Sequence, residues 1–303
     1  MKKKISGIVI SLIFLTLAGF GIKKFLDKQR FVLELEKRRK ILLNFKDNLN
    51  NEIAKFGQRV GILIKDLKSD YKIGLNENMA FGAASLIKIP IMACVYCAEQ
   101  ANRIDMQQKI TIKNQDKTAG SGILKNIAEG VSFEVEELLH LMIAYSDNTA
   151  SNLLIDQLGF DYLNNCFKNL GLKNTSISRK ILDIQARNQG KENYTTAQDI
   201  GHILEMLYKG QLINKDISEK ALKYLKQQKI RDRIPALLPS YIPVAHKTGL
   251  ENGLCHDAGI MFTKEGDFLI CVLIQHKFKT AKPAKQFIAE ISKELFYAFN
   301  KDE

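Results

Sequence analysis

Apolar and polar positions follow two different periods along the chain. Arg59–Leu67 and Tyr71–Leu75 read as two strands joined by a short turn, an antiparallel hairpin. Near the other end, Pro243–Thr248, His256–Thr263 and Phe268–Gln275 give three more strands, and a closing helix runs from about Ala281 to Phe299. Between them, from Ser85 to about Lys209, the pattern is mainly helical, with breaks at Asn102, Gly120–Gly122, Gly159, Gly171 and Gly190. Thr196-Ala-Gln-Asp199 is a helix-start signature. Two strands early and three late predict an α/β (α+β) fold. It has a five-stranded antiparallel sheet built from both chain ends, flanked by helices, with an inserted all-helical lobe over about residues 85–210. Ligand sites tend to fall at such a seam.

Ahead of the first strand the pattern changes again. Met1–Lys4 is a basic cap on an apolar run from Ile5 to Ile22. At ~1.5 Å per residue the run spans roughly 27 Å, close to the hydrocarbon thickness of a bilayer. Residues 1–22 therefore read as a signal peptide or a membrane anchor, the anchor favoured because no sharp small-residue cleavage site follows. Residues 23–45 read as a basic helical stalk, and residues 46–303 as the folded domain, beginning with an amphipathic helix over Asp47–Phe56. The expected location is extracytoplasmic, tethered to the cell membrane, or secreted if the segment is cleaved. Lys23, Lys24, Lys28 and Arg30 blunt the charge asymmetry that sets orientation.

With 303 residues and 46% apolar content the chain can bury a substantial core. The net charge of +12 suits an acidic partner, but the charges are scattered and no nucleic-acid motif accompanies them, so no nucleic-acid partner is expected. Five cysteines at irregular spacing make no disulfide framework. Cys94 and Cys97 lie inside an apolar helix and read as buried small hydrophobes. Five scattered histidines offer no ligand cluster, so neither a metal nor another cofactor is expected.

The candidate chemistry starts at Ser85 and Lys88. Three apart on a helix, they share a face, in a nearly wholly apolar run that would hold the lysine in a core. A serine hydroxyl needs a neighbouring base, and desolvation lowers a lysine pKa toward that role. Ser69 and Lys72 have the same spacing but sit between strands and read as a turn. Further along come Ser146-Asp147-Asn148 and then Lys247-Thr248-Gly249, each once. This ordered trio resembles the signature of class A β-lactamases and penicillin-binding proteins. Gly120–Lys125 and Leu138–Leu154 are also similar to class A β-lactamase sequence, as is the spacing from about Arg59 onward.

The resemblance implies a role for each residue. Ser85 is the nucleophile, Lys88 its base, and Ser146 relays a proton to the leaving nitrogen. Asn148 holds Lys88 and the substrate amide. Lys247 supplies positive field, Thr248 a hydrogen bond, and Gly249 completes the triplet. The backbone N–H groups of Ser85 and Leu250 form the oxyanion hole. His256 falls where many class A enzymes carry an arginine that grips the substrate carboxylate, or else it is a strand-edge histidine bonded to Asp257 or a carbonyl. One element of the pattern is missing. Counting back from Thr195, Ile181 stands in the place of the glutamate that activates the deacylating water; Asp183 and Glu192 are the nearby carboxylates. Asp183 is equally expected to pair with Arg179 or Arg187.

Three readings follow. One is a monomeric, membrane-tethered serine hydrolase that opens β-lactams with slow deacylation. Another is a D,D-peptidase or transpeptidase-like wall enzyme, acting on peptidoglycan stem peptides and blocked by penicillin. A third is a non-catalytic muropeptide or β-lactam sensor, which the intact nucleophile–base pair disfavours.

Overall fold

A computed structural model of the chain describes the backbone of residues 2–300 and the side chains of residues 20 and 23–300. The first element is one uninterrupted helix, α1 (Lys2–Phe56). Arg38, Leu42, Phe45 and Leu49 are buried along it, with Ile53 and Phe56 partly buried below them. Their spacing of three and four residues makes one face. The docked part of the helix thus begins at Arg38, above the expected stalk boundary at 45. Arg38 is fixed there by Asp66, with Nε–Oδ2 at 2.6 Å. The Ile5–Ile22 run read as an anchor lies outside the described side chains. Among the described residues no helix is long and apolar enough to cross a membrane.

The strands β1 (Arg59–Asp66) and β2 (Lys72–Leu75) form the hairpin expected. Ser69 lies in its turn, bonded to Asp66, so the Ser69–Lys72 pair is structural. The two-residue strand β3 (Phe81–Gly82) leads into a 3₁₀ turn, Ala84–Ile87, and then α2 (Lys88–Gln100). The inserted lobe is not purely helical. Strands β4 (Lys109–Thr111) and β5 (Ser132–Glu134) pair within it, ahead of α3 (Val135–Ala144), α4 (Asn148–Leu158) and α5 (Phe160–Asn169). A loop holding α6 (Ile184–Asn188) returns through β6 (Tyr194–Thr195), which pairs with β3. Helix α7 (Ala197–Tyr208) starts at Thr196, whose hydroxyl accepts the Asp199 N–H at 3.0 Å. Asp199 does not reach back to complete a box; it bonds Asn174 and Thr175. Helix α8 (Lys215–Lys226) packs on α3 and α7, so the lobe extends past residue 210.

The chain closes with β7 (Val244–Glu251), β8 (Leu254–Met261), β9 (Phe268–Gln275) and α9 (Lys282–Phe299). The main sheet runs β2-β1-β9-β8-β7, antiparallel throughout. Strands β8 and β9 are buried on both faces, which explains their continuous apolar runs. On β9, Leu269, Cys271 and Leu273 face the helical lobe, while Ile270, Val272 and Ile274 face α1 and α9. Two helical layers therefore sandwich one sheet, and β7 is left as an edge beside the turn that carries Ser85.

Candidate active site

Each motif arrives on a different element. Ala84 adopts a left-handed φ of +44° at the head of the 3₁₀ turn, a conformation costly for a residue with a Cβ. It sets Ser85, half-buried, at the entry to α2 and Lys88 in the first turn of that helix. Ser146 is likewise left-handed, at φ +53°, between α3 and α4. Asp147 then caps α4, Oδ1 accepting the Ala150 N–H at 2.9 Å. Its second oxygen accepts the N–H groups of Ile123 and Leu124 at 2.6 and 2.9 Å, pinning the 120–124 loop to the motif. A Cβ on Gly122 would lie 2.3 Å from that carboxylate, so the loop requires glycine there. Asp147 is a structural hydrogen-bonder, as its capping position dictates.

Two lysines converge on the Ser146 hydroxyl, and Asn148 supports one of them. Lys88 Nζ donates to Ser146 O at 2.7 Å, to Asn148 Oδ1 at 2.8 Å and to Ser146 Oγ at 3.3 Å. Lys247 Nζ reaches the same Oγ from the sheet side at 2.9 Å and is steadied by the Thr248 carbonyl at 2.9 Å. Asn148 is itself held, its Nδ2 donating to Ala119 O at 2.8 Å. Both lysines are fully buried. Burial pulls Lys88 down from the ordinary lysine range to about 7, against the opposing pull of Asp147 and Glu251. Burial and the neighbouring Lys88 charge together hold Lys247 well below its ordinary value; Asp257 opposes them and the Arg233 charge adds to them.

Lys88 can therefore act as a base near neutrality. As an ammonium it fills its three donors; after losing a proton it retains the two shorter bonds and frees a lone pair. Among the described residues nothing hydrogen-bonds the Ser85 hydroxyl, Lys88 included. The acylation rate should accordingly fall as pH drops through about 7, because the protonated form of Lys88 cannot accept the Ser85 proton. Second-order labelling rates between pH 5.5 and 8.5 test this; below the midpoint the slope should approach about tenfold per pH unit.

The edge strand completes the cleft. A Cβ at Gly249 would touch the Ala84 Cβ at 3.4 Å and the His256 ring at 3.2 Å, so glycine lets β7 lie against the turn that carries Ser85. Leu250 follows, half exposed, on an edge whose outer backbone groups are unpaired by the sheet. Thr248 is buried opposite Asp257.

His256 does not play the part the resemblance implied. It is fully buried, its Nδ1 accepts the Ile274 N–H at 3.0 Å and its Nε2 lies 2.9 Å from the Gly82 carbonyl. Burial lowers it to about 4, so it is neutral with Nε2 protonated and both nitrogens are committed to backbone. Arg233, which sequence reasoning passed over, adds its charge to the effects that lower Lys247, behind burial and Lys88. Arg233 is buried beneath the sheet edge, with Nε 3.3 Å from Cys255 Sγ. Its Nη1 lies 3.0 Å from Asp232 Oδ1 but at an angle that makes no hydrogen bond.

The loop from Arg179 to Asn193 is locked by charge. Arg179 Nη2 lies 2.6 Å from Glu192 and 3.1 Å from Glu251, and Arg187 contacts the same two carboxylates at 3.1 Å. The expected pairing of Asp183 with Arg179 or Arg187 is absent; Asp183 caps α6, accepting the Ala186 N–H at 2.9 Å. Ile181 is buried, and Asn152 grips its backbone N–H at 2.8 Å and its carbonyl at 3.2 Å. Leu182, at φ +60°, lies over the Gly120–Asn148 corner, its Cδ1 3.0 Å from where a Gly120 Cβ would sit. Asn152 and Glu251 were missed because their partners are distant in sequence. The one available signal was Asn152 four residues after Asn148, on the same helix face. Replacing Arg179 by alanine should cost about 3 kcal/mol, since it leaves two largely buried carboxylates with the partly exposed Arg187 as their remaining arginine partner. Urea unfolding measures this, with Arg179→Lys recovering the charge but not the fork.

Among the described residues no cluster of His, Cys, Asp and Glu is placed to hold a metal ion. The sequence model of the beta-lactamase enzyme family matches residues 44–299. The chain belongs to that family. Its relatives include the β-lactamase VEB-1 of Pseudomonas aeruginosa, 25% identical over 260 residues, 81% of this chain and 87% of the relative. A Bacillus licheniformis β-lactamase is 26% identical over 267 residues, 85% and 86% of the two chains. Among solved structures, a Sphaerobacter thermophilus β-lactamase is 30% identical with a TM-score of 0.75, covering 82% of this chain and 93% of that one. PBP-A is 24% identical with a TM-score of 0.79, covering 86% and 97%, and a variant of it is solved as an acyl-enzyme with penicillin G. The fold class and the serine-hydrolase type expected of this sequence are those of the β-lactamase family.

Proposed function

We propose that this protein is a penicillin-reactive serine hydrolase whose Ser85 is acylated by β-lactams and released slowly. Ser85 attacks the lactam carbonyl while Lys88 takes its proton, and the backbone N–H groups of Ser85 and Leu250 receive the developing oxyanion. Ser146, held between the two lysines, passes a proton to the leaving nitrogen. Lys247, reaching Ser146 from the sheet side, hydrogen-bonds the substrate carboxylate.

The observation that carries the reading is the contrast between the two halves of the cycle. Lys88, Ser146 and Lys247 converge within hydrogen-bond distance beside the turn that carries Ser85, whereas Ile181 occupies the loop position of the deacylating base and both nearby carboxylates are engaged. Asp183 caps a helix and Glu192 is ion-paired. A missing general base costs about 10²–10⁴ in rate. That same contrast supports a second reading, a D,D-peptidase or transpeptidase-like wall enzyme that penicillin blocks. Either activity belongs outside the cytoplasmic membrane, with residues 1–22 as tether. Intact mass followed after penicillin exposure tests the proposal: one drug mass should appear and decay slowly. Absence of any adduct overturns it. Release of D-alanine from a pentapeptide would favour the second reading.

A further inference from the structure

Strand β3 delivers the chain to Ser85, and it is held from two sides. On one side it pairs with β6, Phe81 opposite Thr195 and Gly82 opposite Tyr194, and the Ala83 N–H donates to the Asn193 carbonyl at 2.7 Å. On the other side a histidine reaches it from the main sheet. His256, on β8, donates from Nε2 to the Gly82 carbonyl at 2.9 Å, shortly ahead of Ser85. Its Nδ1 accepts the Ile274 N–H of β9 at 3.0 Å. These partners require the neutral ring and fix its tautomer, since a carbonyl can only accept and an amide N–H can only donate. The ring meets Phe81 edge-on, with centroids 6.2 Å apart. It also lies against Gly249 on β7, where a Cβ would sit 3.2 Å from the ring and 3.4 Å from the Ala84 Cβ. His256 thus fills the place where the turn bearing Ser85, the edge strand and the sheet interior meet.

We propose, resting on the reading of Ser85 as nucleophile and of the Ser85 and Leu250 N–H groups as oxyanion donors, that His256 is a positioning residue for acylation. By holding the Gly82 carbonyl it sets the spacing between the Ser85 turn and the edge strand β7. The two oxyanion donors belong to the two elements that the ring touches: Ser85 follows Gly82 and Ala84 along the chain, and Leu250 follows Gly249 directly. Oxyanion stabilisation is steep in distance, because both donors must meet the oxygen where the transition state places it. Losing the Gly82 bond lets the turn shift against β7 and spoils that match. Lys247 meets the substrate carboxylate from β7 alone, so the effect falls on the chemical step and not on affinity. Burial lowers the His256 ring to about 4, so the arrangement persists across the pH range in which Lys88 titrates.

Two substitutions separate the two hydrogen bonds. Asparagine places its amide near the position of Nδ1 and can keep the Ile274 bond. Glutamine reaches as far as Nε2 and can keep the Gly82 bond. Each variant gives up one hydrogen bond of the ring, so their melting temperatures should fall alike.

Acylation of the full chain by penicillin G, followed by intact mass over a range of drug concentrations, gives the maximal rate and the half-saturating concentration separately. His256→Asn should lower the maximal rate by about 10–100-fold, with half-saturation unchanged. Its pH midpoint should stay at about 7, because the burial of Lys88 is untouched. His256→Gln should recover most of the wild-type rate at a similar melting temperature. A purely structural role would instead slow both variants in step with their loss of stability. His256→Asn acylated at the wild-type rate, or His256→Gln as slow as His256→Asn, overturns the proposal, while wild-type labelling leaves the Ser85 reading standing. No adduct on the wild-type chain overturns both.

Discussion

Replacing Ser85 by alanine should abolish covalent labelling by penicillin, with a loss on the order of 10⁶-fold in acylation rate, as when the nucleophile of a serine hydrolase is removed. The fold should be unaffected. Among the described residues the Ser85 hydroxyl holds no hydrogen bond, and the turn around it is set by backbone geometry at Ala84 and by the burial of Leu86 and Ile87. Intact mass after prolonged exposure should show no adduct on the variant, and its melting temperature should match the wild type. Labelling that persists would assign the nucleophile elsewhere.

Ile181→Glu should act on the other half of the cycle, shortening the life of the penicilloyl adduct by about 10–100-fold, toward the lower end of what a positioned general base contributes. The backbone at 181 is already fixed by Asn152 from both sides, so a new carboxylate would start from a defined backbone position next to Leu182. The gain falls short of the full range because the site is nearly buried and desolvation would raise the carboxyl pKa. Burying that group should also cost about 1–3 kcal/mol of stability. Time-resolved mass measurement separates the outcomes. Unchanged adduct decay with acylation intact would mean that something other than the absent base limits release.

Some of the fold could be read before any coordinates. The short, largely apolar runs of β1, β8 and β9 and the helical period between them were local signals, and they were enough for one sheet built from both chain ends. The lobe's limit was misplaced because α8 is a lysine-rich amphipathic helix whose burial depends on α3 and α7. Residues 23–45 looked like a stalk because the spacing of Arg38, Leu42 and Phe45 acquires meaning only with Asp66 and α9 to receive them.

The site divides along the same line. By itself the order of Ser85–Lys88, Ser146–Asn148 and Lys247–Gly249 was enough to point to the family, and Ile181 stands where the resemblance expects a glutamate, because residue identity and spacing are properties of the chain. Tertiary structure decided what each ionisable group can do. Lys88 drops to about 7 through burial contributed by residues far from it in sequence. His256 is neutral because burial lowers its pKa, and Glu192 is tied up because Arg179 and Arg187 meet it across the loop. Desolvation and charge pairing depend on three-dimensional distance, which sequence spacing does not encode.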